Sequence, residues 1–360
     1  LITLPERYDN ATLPEVEIVD MSEQRKKKLA NGIISLPLQQ QTDEALRTGK
    51  QAMMFQNRRG FSPFVICHTC GWTPRCVNCD VSLVYHKGLD QLRCHYCGYA
   101  IQRPSLCPAC GDNRIRSIGY GTERIAEDVH EAFPEYRISR MDLDTTRNKD
   151  AHQQLIEQFS RHETDILVGT QMITKGLDFE NVTIVGVLNA DTVLNFPDFR
   201  SNERAFNMLE QVAGRAGRRA DKGKVIIQTT DPENRILGYV ATHNYTGFFN
   251  TEIEDRRKYN YPPFCRIINI YLKNKEQKRV DEAAELFTLA LRNALGDRVL
   301  GPERPFVSRV ATYYLQQIML KVEVTASMSK VKQILHTIYE SLARDTRMKG
   351  TIIYYDVDPV

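Results

Sequence analysis

The stretch "DILVGTQMITKGLDFENVTIVGVL" (165–188) decides the fold. Its two apolar runs, 165–169 and 182–188, lack the alternation that a strand with one wet face shows. A strand buried on both faces reads this way, and such strands belong to a parallel sheet covered by helices. The pattern continues outward on both sides. "QAMMF" (51–55), "RISRM" (137–141) and "GKVIIQT" (223–229) predict further strands. "KDAHQQLIEQF" (149–159) and "ERAFNMLEQV" (203–212) have helical spacing, and "IRSIGYGTERIAEDVHEAF" (115–133) gives a short strand, a Gly-rich turn and an amphipathic helix. Ligands of such α/β sheets collect at the carboxyl ends of the strands. That is where the polar sequences after 165–169 and 182–188 are expected.

Four Cys-x-x-Cys pairs interrupt this pattern: Cys67/Cys70, Cys76/Cys79, Cys94/Cys97 and Cys107/Cys110. Four thiolates satisfy the tetrahedral preference of zinc and leave no open position for catalysis, so two structural zinc ions are expected. Gly71, Gly98 and Gly111 follow the second Cys of their pairs, where the turn calls for positive φ; Asp80 holds that position in the fourth. Four pairs can be joined into two sites in three ways. The Cys79-to-Cys94 spacing resembles a zinc ribbon and favours Cys76/Cys79 with Cys94/Cys97, leaving Cys67/Cys70 with Cys107/Cys110. His68, His86 and His95 are read as turn or surface residues, and Cys265 as core. Trp72, Arg75, Tyr85, Arg93 and Tyr96 mix aromatics with cations, as nucleic-acid surfaces do, although packing explains each equally well.

"NYPPFC" (260–265) reads as a boundary. Beyond it, strand 266–273, helix 277–295, extended segments near 299 and 314–324, helix 328–345 and strand 351–357 suggest a split-βαβ sandwich. The expected domains are therefore an N-terminal segment with the start of the parallel sheet (1–63), a zinc insertion (64–113), the rest of the sheet (114–258) and a small α/β domain (259–360). Composition is that of an ordinary globular protein: 42% hydrophobic, 26% charged, net charge +3 over 360 residues. No apolar run approaches the roughly 20 residues of a membrane span, and no signal peptide opens the chain, so a cytoplasmic location is expected. Leu1 at the first position suggests a piece of a longer protein.

"GTQMITKGLDFENVT" (169–183) and "QVAGRAGR" (211–218) match motifs V and VI of superfamily 2 helicases. With the eight-cysteine insertion and "GYGTERIAEDV", the chain resembles the C-terminal part of the PriA family of bacterial replication-restart helicases. The resemblance implies an α/β fold: a RecA-like helicase lobe 2 carrying an inserted two-zinc ribbon-like module, then a small α/β sandwich. It implies ATP and magnesium as cofactors of the full-length protein, bound between two lobes. Arg218 is the implied arginine finger, with Arg215 assisting it or bonding neighbouring backbone and Gln211 sensing the nucleotide or its water. The same resemblance implies that Gly176 and Asp178 lie where motif V links the ATP cleft to the DNA track, and that Thr170 donates to a DNA phosphate. Many family members are expected to carry histidine where this chain has Asp178.

No P-loop accompanies these groups. Gly49-Lys50 is followed by Gln51, and Gly223-Lys224 by Val225. Asp43-Glu44 and Asp281-Glu282 mimic an Asp-Glu box without the preceding apolar strand, and both are read as exposed helix starts. The chain alone is therefore expected not to hydrolyse ATP. Implied partners are forked or single-stranded DNA, single-stranded DNA-binding protein and other primosome proteins, with the chain as a monomer and no membrane. A zinc-ribbon adaptor with a degenerate lobe is the other class of reading, and the intact Gln211/Arg215/Arg218 set argues against it.

Overall fold

A computed structural model describes residues 12–56, 65–67, 69–86, 90–117, 122–141, 149–170, 179–217 and 222–359. The chain divides into two compact units. One comprises Leu1–Thr73, Pro104–Phe196 and Arg200–Phe249; the other comprises Pro74–Arg103, Pro197–Phe199 and Asn250–Val360.

The first unit is built on a six-stranded sheet. Its strands are β1 (Glu15–Asp20), β2 (Gln51–Phe55), β3 (Ile138–Met141), β4 (Ile166–Gly169), β5 (Val182–Val187) and β6 (Lys224–Thr229). They lie in the order β1-β6-β5-β2-β4-β3, every pair parallel. β2 and β4 are buried along their whole length, as their unbroken apolar runs require. Alternate residues feed two cores. Met53, Phe55, Leu167, Val185 and Ile227 pack with Phe206, Leu209 and Val212 of helix Ser201–Ala213. Ala52, Met54, Ile166, Ile184 and Ile226 pack with Leu38 and Leu46 of helix Leu36–Arg47 and with Ile125 and Val129 of helix Thr122–Ala132. Each fully buried large side chain contributes about 1.5–3 kcal/mol. Helix Leu36–Arg47 reaches the sheet closely enough that a Cβ on Gly186 would meet Leu38 Cδ1 at 2.8 Å and Met54 Sδ at 2.7 Å.

Three features differ from the sequence reading. β1 was not expected: "EVEIVD" is only partly buried and has no continuous apolar run, yet it pairs with β6 from Glu15↔Lys224 to Asp20↔Thr229. Strand Ile115–Ser117 does not join the parallel sheet. It pairs antiparallel with Val65–Cys67, so the two ends of the cysteine block close on each other as a stem. Asp43 lies in the C-terminal half of helix Leu36–Arg47, bonded to Arg47 at 2.6 Å and Tyr136 at 3.3 Å, and so is no helix start.

The second unit holds an antiparallel sheet of β7 (Cys265–Asn274), β8 (Val299–Glu303), β9 (Tyr313–Glu323) and β10 (Ile352–Val357), ordered β8-β9-β7-β10. Helices Gln277–Leu295 and Met328–Leu342 cover the face made by Ile268, Ile270, Leu272, Ile318, Leu320 and Val322. This is the expected split-βαβ sandwich. Ile267 and Met319 point to the other face, where Tyr261 and Cys265 complete a second cluster. The same unit contains a three-stranded ribbon, Val84–His86, Gln91–Arg93 and Ala100–Gln102.

Candidate metal centres and motif elements

The eight cysteines gather into two clusters. Cys67, Cys70, Cys107 and Cys110 form one, and Cys76, Cys79, Cys94 and Cys97 the other, with ligand atoms within 4.8 Å of one another in each. Each pair is shaped by one local device. The carbonyl of the first Cys accepts from the N–H of the residue just past the second: from Gly71 at 2.9 Å, Asp80 at 3.0 Å, Gly98 at 3.1 Å and Gly111 at 2.8 Å. All four of those donors have positive φ. That explains three glycines and one aspartate at the same place in four repeats.

Sulfur separations are 3.7 Å for Cys67–Cys110, 3.6 Å for Cys70–Cys107 and 3.5 Å for Cys76–Cys97. Four sulfurs about 2.3 Å from one tetrahedral zinc sit about 3.8 Å apart, so both clusters fit that ion. They are far too long for S–S bonds. Tyr96 N–H donates to Cys94 Sγ at 3.4 Å and Asn78 Nδ2 to Cys97 Sγ at 3.8 Å, which favours thiolate there. Burial pushes Cys67 up, but N–H donors from Cys70 and Thr69 more than reverse it, bringing the thiol down to about 7. Hydrogen bonds from Cys76, Cys79 and Cys94 hold Cys97 far below the usual thiol range.

The aromatic and cationic residues of the ribbon have protein partners. Arg93 makes a two-armed ion pair with Glu303, at 2.8 and 2.9 Å. Burial pushes the Glu303 carboxyl up in spite of that pair. Tyr96 accepts from Phe199 N–H at 3.4 Å and meets Tyr261 edge-on. His95 Nδ1 lies against the Arg304 carbonyl, and burial lowers its pKa to about 4. Tyr85 bonds Asp90 at 2.7 Å and carries Arg103 over its ring, and Arg75 reaches Asp80 at 3.4 Å. The Trp72 carbonyl accepts from Cys67 N–H at 2.9 Å. Sequence composition offered Arg93 and Tyr96 as nucleic-acid contacts; their partners in the second unit, distant in sequence, could not be read from it. His68 lies outside the described residues.

The described helicase-motif residues, Thr170 on one side and Gln211 with Arg215 on the other, occupy opposite ends of the parallel sheet. Thr170 directly follows β4 at its carboxyl end, where it is buried and its N–H donates to Met141 O at 3.4 Å. Gln211 is exposed in the last turn of helix Ser201–Ala213, and Arg215 is half-buried just beyond it. Gly217 N–H donates to Val182 O at 3.0 Å, and a Cβ on Gly223 would meet Ala216 C at 2.2 Å. These contacts set the 214–217 turn against the amino ends of β5 and β6, not the carboxyl ends. The reason is simple: the helix following β5 runs antiparallel to it and returns the chain to the amino end. A six-residue strand separates the two ends by about 20 Å. Arg218, Gly176 and Asp178 lie outside the described residues.

At the carboxyl ends the structure adds a residue that the sequence reading did not single out. Asp191 is fully buried and accepts from Thr229 Oγ1 at 2.5 Å, Thr230 Oγ1 at 2.7 Å and Thr230 N–H at 3.1 Å. Burial raises its pKa. It pins the turn after β6 to the turn after β5; an Asp among small apolar residues carries no spacing that would have flagged it.

A parallel lobe with this motif pair, interrupted by cysteine clusters and followed by an antiparallel sandwich, defines a helicase second lobe with a metal-binding insertion. Comparison agrees on each part. Residues 117–220 match the helicase conserved C-terminal domain, 76–101 the PriA DNA helicase Cys-rich region (CRR) domain, and 257–360 the primosomal protein N C-terminal domain. The chain belongs to the PriA family. It is 39% identical over 364 residues to replication restart protein PriA of Bacillus subtilis (strain 168), a match covering 100% of this chain and 44% of that protein. The Synechocystis protein of the same name is 41% identical over 343 residues, covering 92% of this chain and 41% of that one. The chain thus spans about half the length of the relatives it matches. Among solved structures, RecG bound to a three-way DNA junction is similar over 69% of this chain and 23% of that one, with 12% identity and a TM-score of 0.37. No helix among the described residues is long and apolar enough to cross a membrane.

Proposed function

We propose that this chain is the second-lobe half of an ATP-dependent DNA helicase that restarts stalled replication forks and assembles the primosome. The first lobe, which supplies the P-loop and the Asp-Glu box, lies upstream in the full-length protein. Arg218, aided by Arg215, neutralises charge on the γ-phosphate during hydrolysis, and Gln211 senses the nucleotide or its water. Thr170 holds a DNA phosphate at the other end of the sheet, with Gly176 and Asp178 coupling the two. Zinc, when bound by the two four-cysteine clusters, supplies folding energy and takes no part in the chemistry, because thiolates fill all four positions. Forked or single-stranded DNA, single-stranded DNA-binding protein and primosome proteins are the partners, and the protein acts as a cytoplasmic monomer.

The observation that carries this reading is the presence in one chain, in the family's order, of the cysteine region, the helicase lobe and the C-terminal domain. The separation of Thr170 from the Gln211–Arg215 turn supports it, since a motor needs distinct DNA and nucleotide faces.

The test is ATP hydrolysis with and without forked DNA, on this chain and on one extended upstream. Turnover is expected only from the extended chain, stimulated by DNA and reduced about a thousandfold or more by Arg218→Ala. A zinc-loaded, folded extended chain that stays silent would refute the motor reading.

A further inference from the structure

β9 places a lysine where the packing asks for an apolar residue. Lys321 lies opposite Ile267 in the register, beside a cluster of Tyr261, Cys265, Ile267 and Met319. Its Nζ donates to the Tyr259 carbonyl at 2.8 Å and stands 3.7 Å from the centroid of the Tyr261 ring. Tyr261 in turn donates its hydroxyl to the Cys79 carbonyl at 2.8 Å. Its ring stacks on Phe199 at 4.5 Å and meets Tyr96, within the Cys94–Cys97 pair, edge-on at 6.5 Å. The ammonium therefore lies on a ring whose hydroxyl is bonded to the backbone of Cys79, one of the four residues of the inner cluster, Cys76/Cys79/Cys94/Cys97.

Charge explains the placement. Four thiolates around a divalent ion carry a net charge of about −2, and burying such a centre without compensation is costly. Two cations of the ribbon itself are paired elsewhere, Arg93 with Glu303 and Arg75 with Asp80. Among the described residues no carboxylate pairs with Lys321. Burial pulls the Lys321 ammonium down, and charge on the metal-binding sulfurs of Cys79, Cys97 and Cys94 acts against that shift.

We propose that Lys321 is the counter-cation of the inner Cys76/Cys79/Cys94/Cys97 centre, so that a residue of the C-terminal sandwich sets how tightly the ribbon holds its metal. This rests on zinc occupying that cluster, as proposed above. Lys321 is a positioning residue: it touches no ligand and acts through the field it places behind Tyr261.

The experiment uses the whole chain with Lys321→Met, Lys321→Gln and Lys321→Arg, loaded with zinc or cadmium-113. Site-resolved cadmium NMR and chelator competition read the two clusters separately. Loss of an outer partner of a metal site weakens binding about 10- to 100-fold. Met and Gln are expected to weaken the inner site by that factor and move its resonance, leaving the outer site unchanged, while Arg keeps the inner affinity within about threefold. Met and Gln variants that retain inner affinity overturn the proposal. So does an Arg variant as weak as Met, which would make the effect one of packing. A wild-type chain holding no metal at the inner cluster overturns the zinc reading itself, a result the wild-type metal count shows before any variant is made.

Discussion

Two glycines of the outer cluster allow a clean separation of backbone strain from crowding. Gly71 and Gly111 each follow the second cysteine of a pair, with φ of +74° and +75°. A Cβ on Gly111 meets nothing within 4 Å, whereas one on Gly71 would lie 2.2 Å from Thr230 O and 2.7 Å from Thr230 C. That contact must open by roughly an ångström. The backbone there cannot yield easily, because Thr230 N–H and Oγ1 are both bonded to buried Asp191. Gly111→Ala should cost only the left-handed conformation, about 1–2 kcal/mol, offset by about 0.4–1 kcal/mol from the stiffer unfolded chain. Gly71→Ala adds an overpacking cost of about 1–3 kcal/mol. The difference between the variants, about 1–3 kcal/mol, is the quantity of interest, since the two share their local conformation. Guanidinium unfolding of zinc-saturated protein measures it, followed by fluorescence of Trp72, the single tryptophan and the neighbour of Gly71. Variants that agree within about 0.5 kcal/mol would refute the seating of Gly71 on Thr230.

Two further outcomes follow from polar groups. Arg137 donates through Nε and Nη2 to Asp165, at 3.0 and 2.8 Å, and these bonds hold the Asp165 carboxyl below its ordinary value of 3.8. A depressed carboxylate stabilises the fold above its unfolded pKa and loses that contribution as pH falls through the folded value. Arg137→Ala should thus lower Tm at pH 7 by no more than about 1–3 °C, since the guanidinium is exposed, and cost progressively less as pH falls below 3.8; a loss that does not shrink on acidification in thermal scans would contradict the ion pair. Gln228 is fully buried in β6, accepting from Ser35 N–H at 2.7 Å and donating to Ile33 O at 2.8 Å and Leu188 O at 3.1 Å. Gln228→Leu strands one donor and two acceptors and should cost about 2–4 kcal/mol in denaturant titration; a neutral substitution would mean those groups find other partners.

Much of this architecture was legible because its signals are local. The buried strands declared themselves by unbroken apolar runs, and the cysteine pairs by spacing and the glycine after three of the four. Grouping Cys76/Cys79 with Cys94/Cys97 needed only ribbon spacing, and the structure places those four together. What escaped depends on distant partners. β1 is amphipathic by sequence and becomes a sheet strand only because β6 offers it an edge. Arg93 and Tyr96 look like exposed contacts until Glu303 and Tyr261 arrive from more than 150 residues away. The placement of Gln211 and Arg215 at the amino ends required knowing which way the preceding helix runs, a matter of topology that motif spelling does not carry.

The stem of Val65–Cys67 against Ile115–Ser117, together with the four outer thiols, has an evolutionary corollary. The excursion between Cys70 and Cys107 leaves and returns at a single fastened point. Lengthening such an excursion raises the entropy of closing it only logarithmically, about 0.6 kcal/mol per doubling. The cost of closing the stem thus changes little with the length of what lies between the fasteners. Descendants of this gene can lengthen the loops of that excursion at little entropic cost, so long as they keep the ribbon contacts that Arg93 makes with Glu303 and Cys79 with Tyr261.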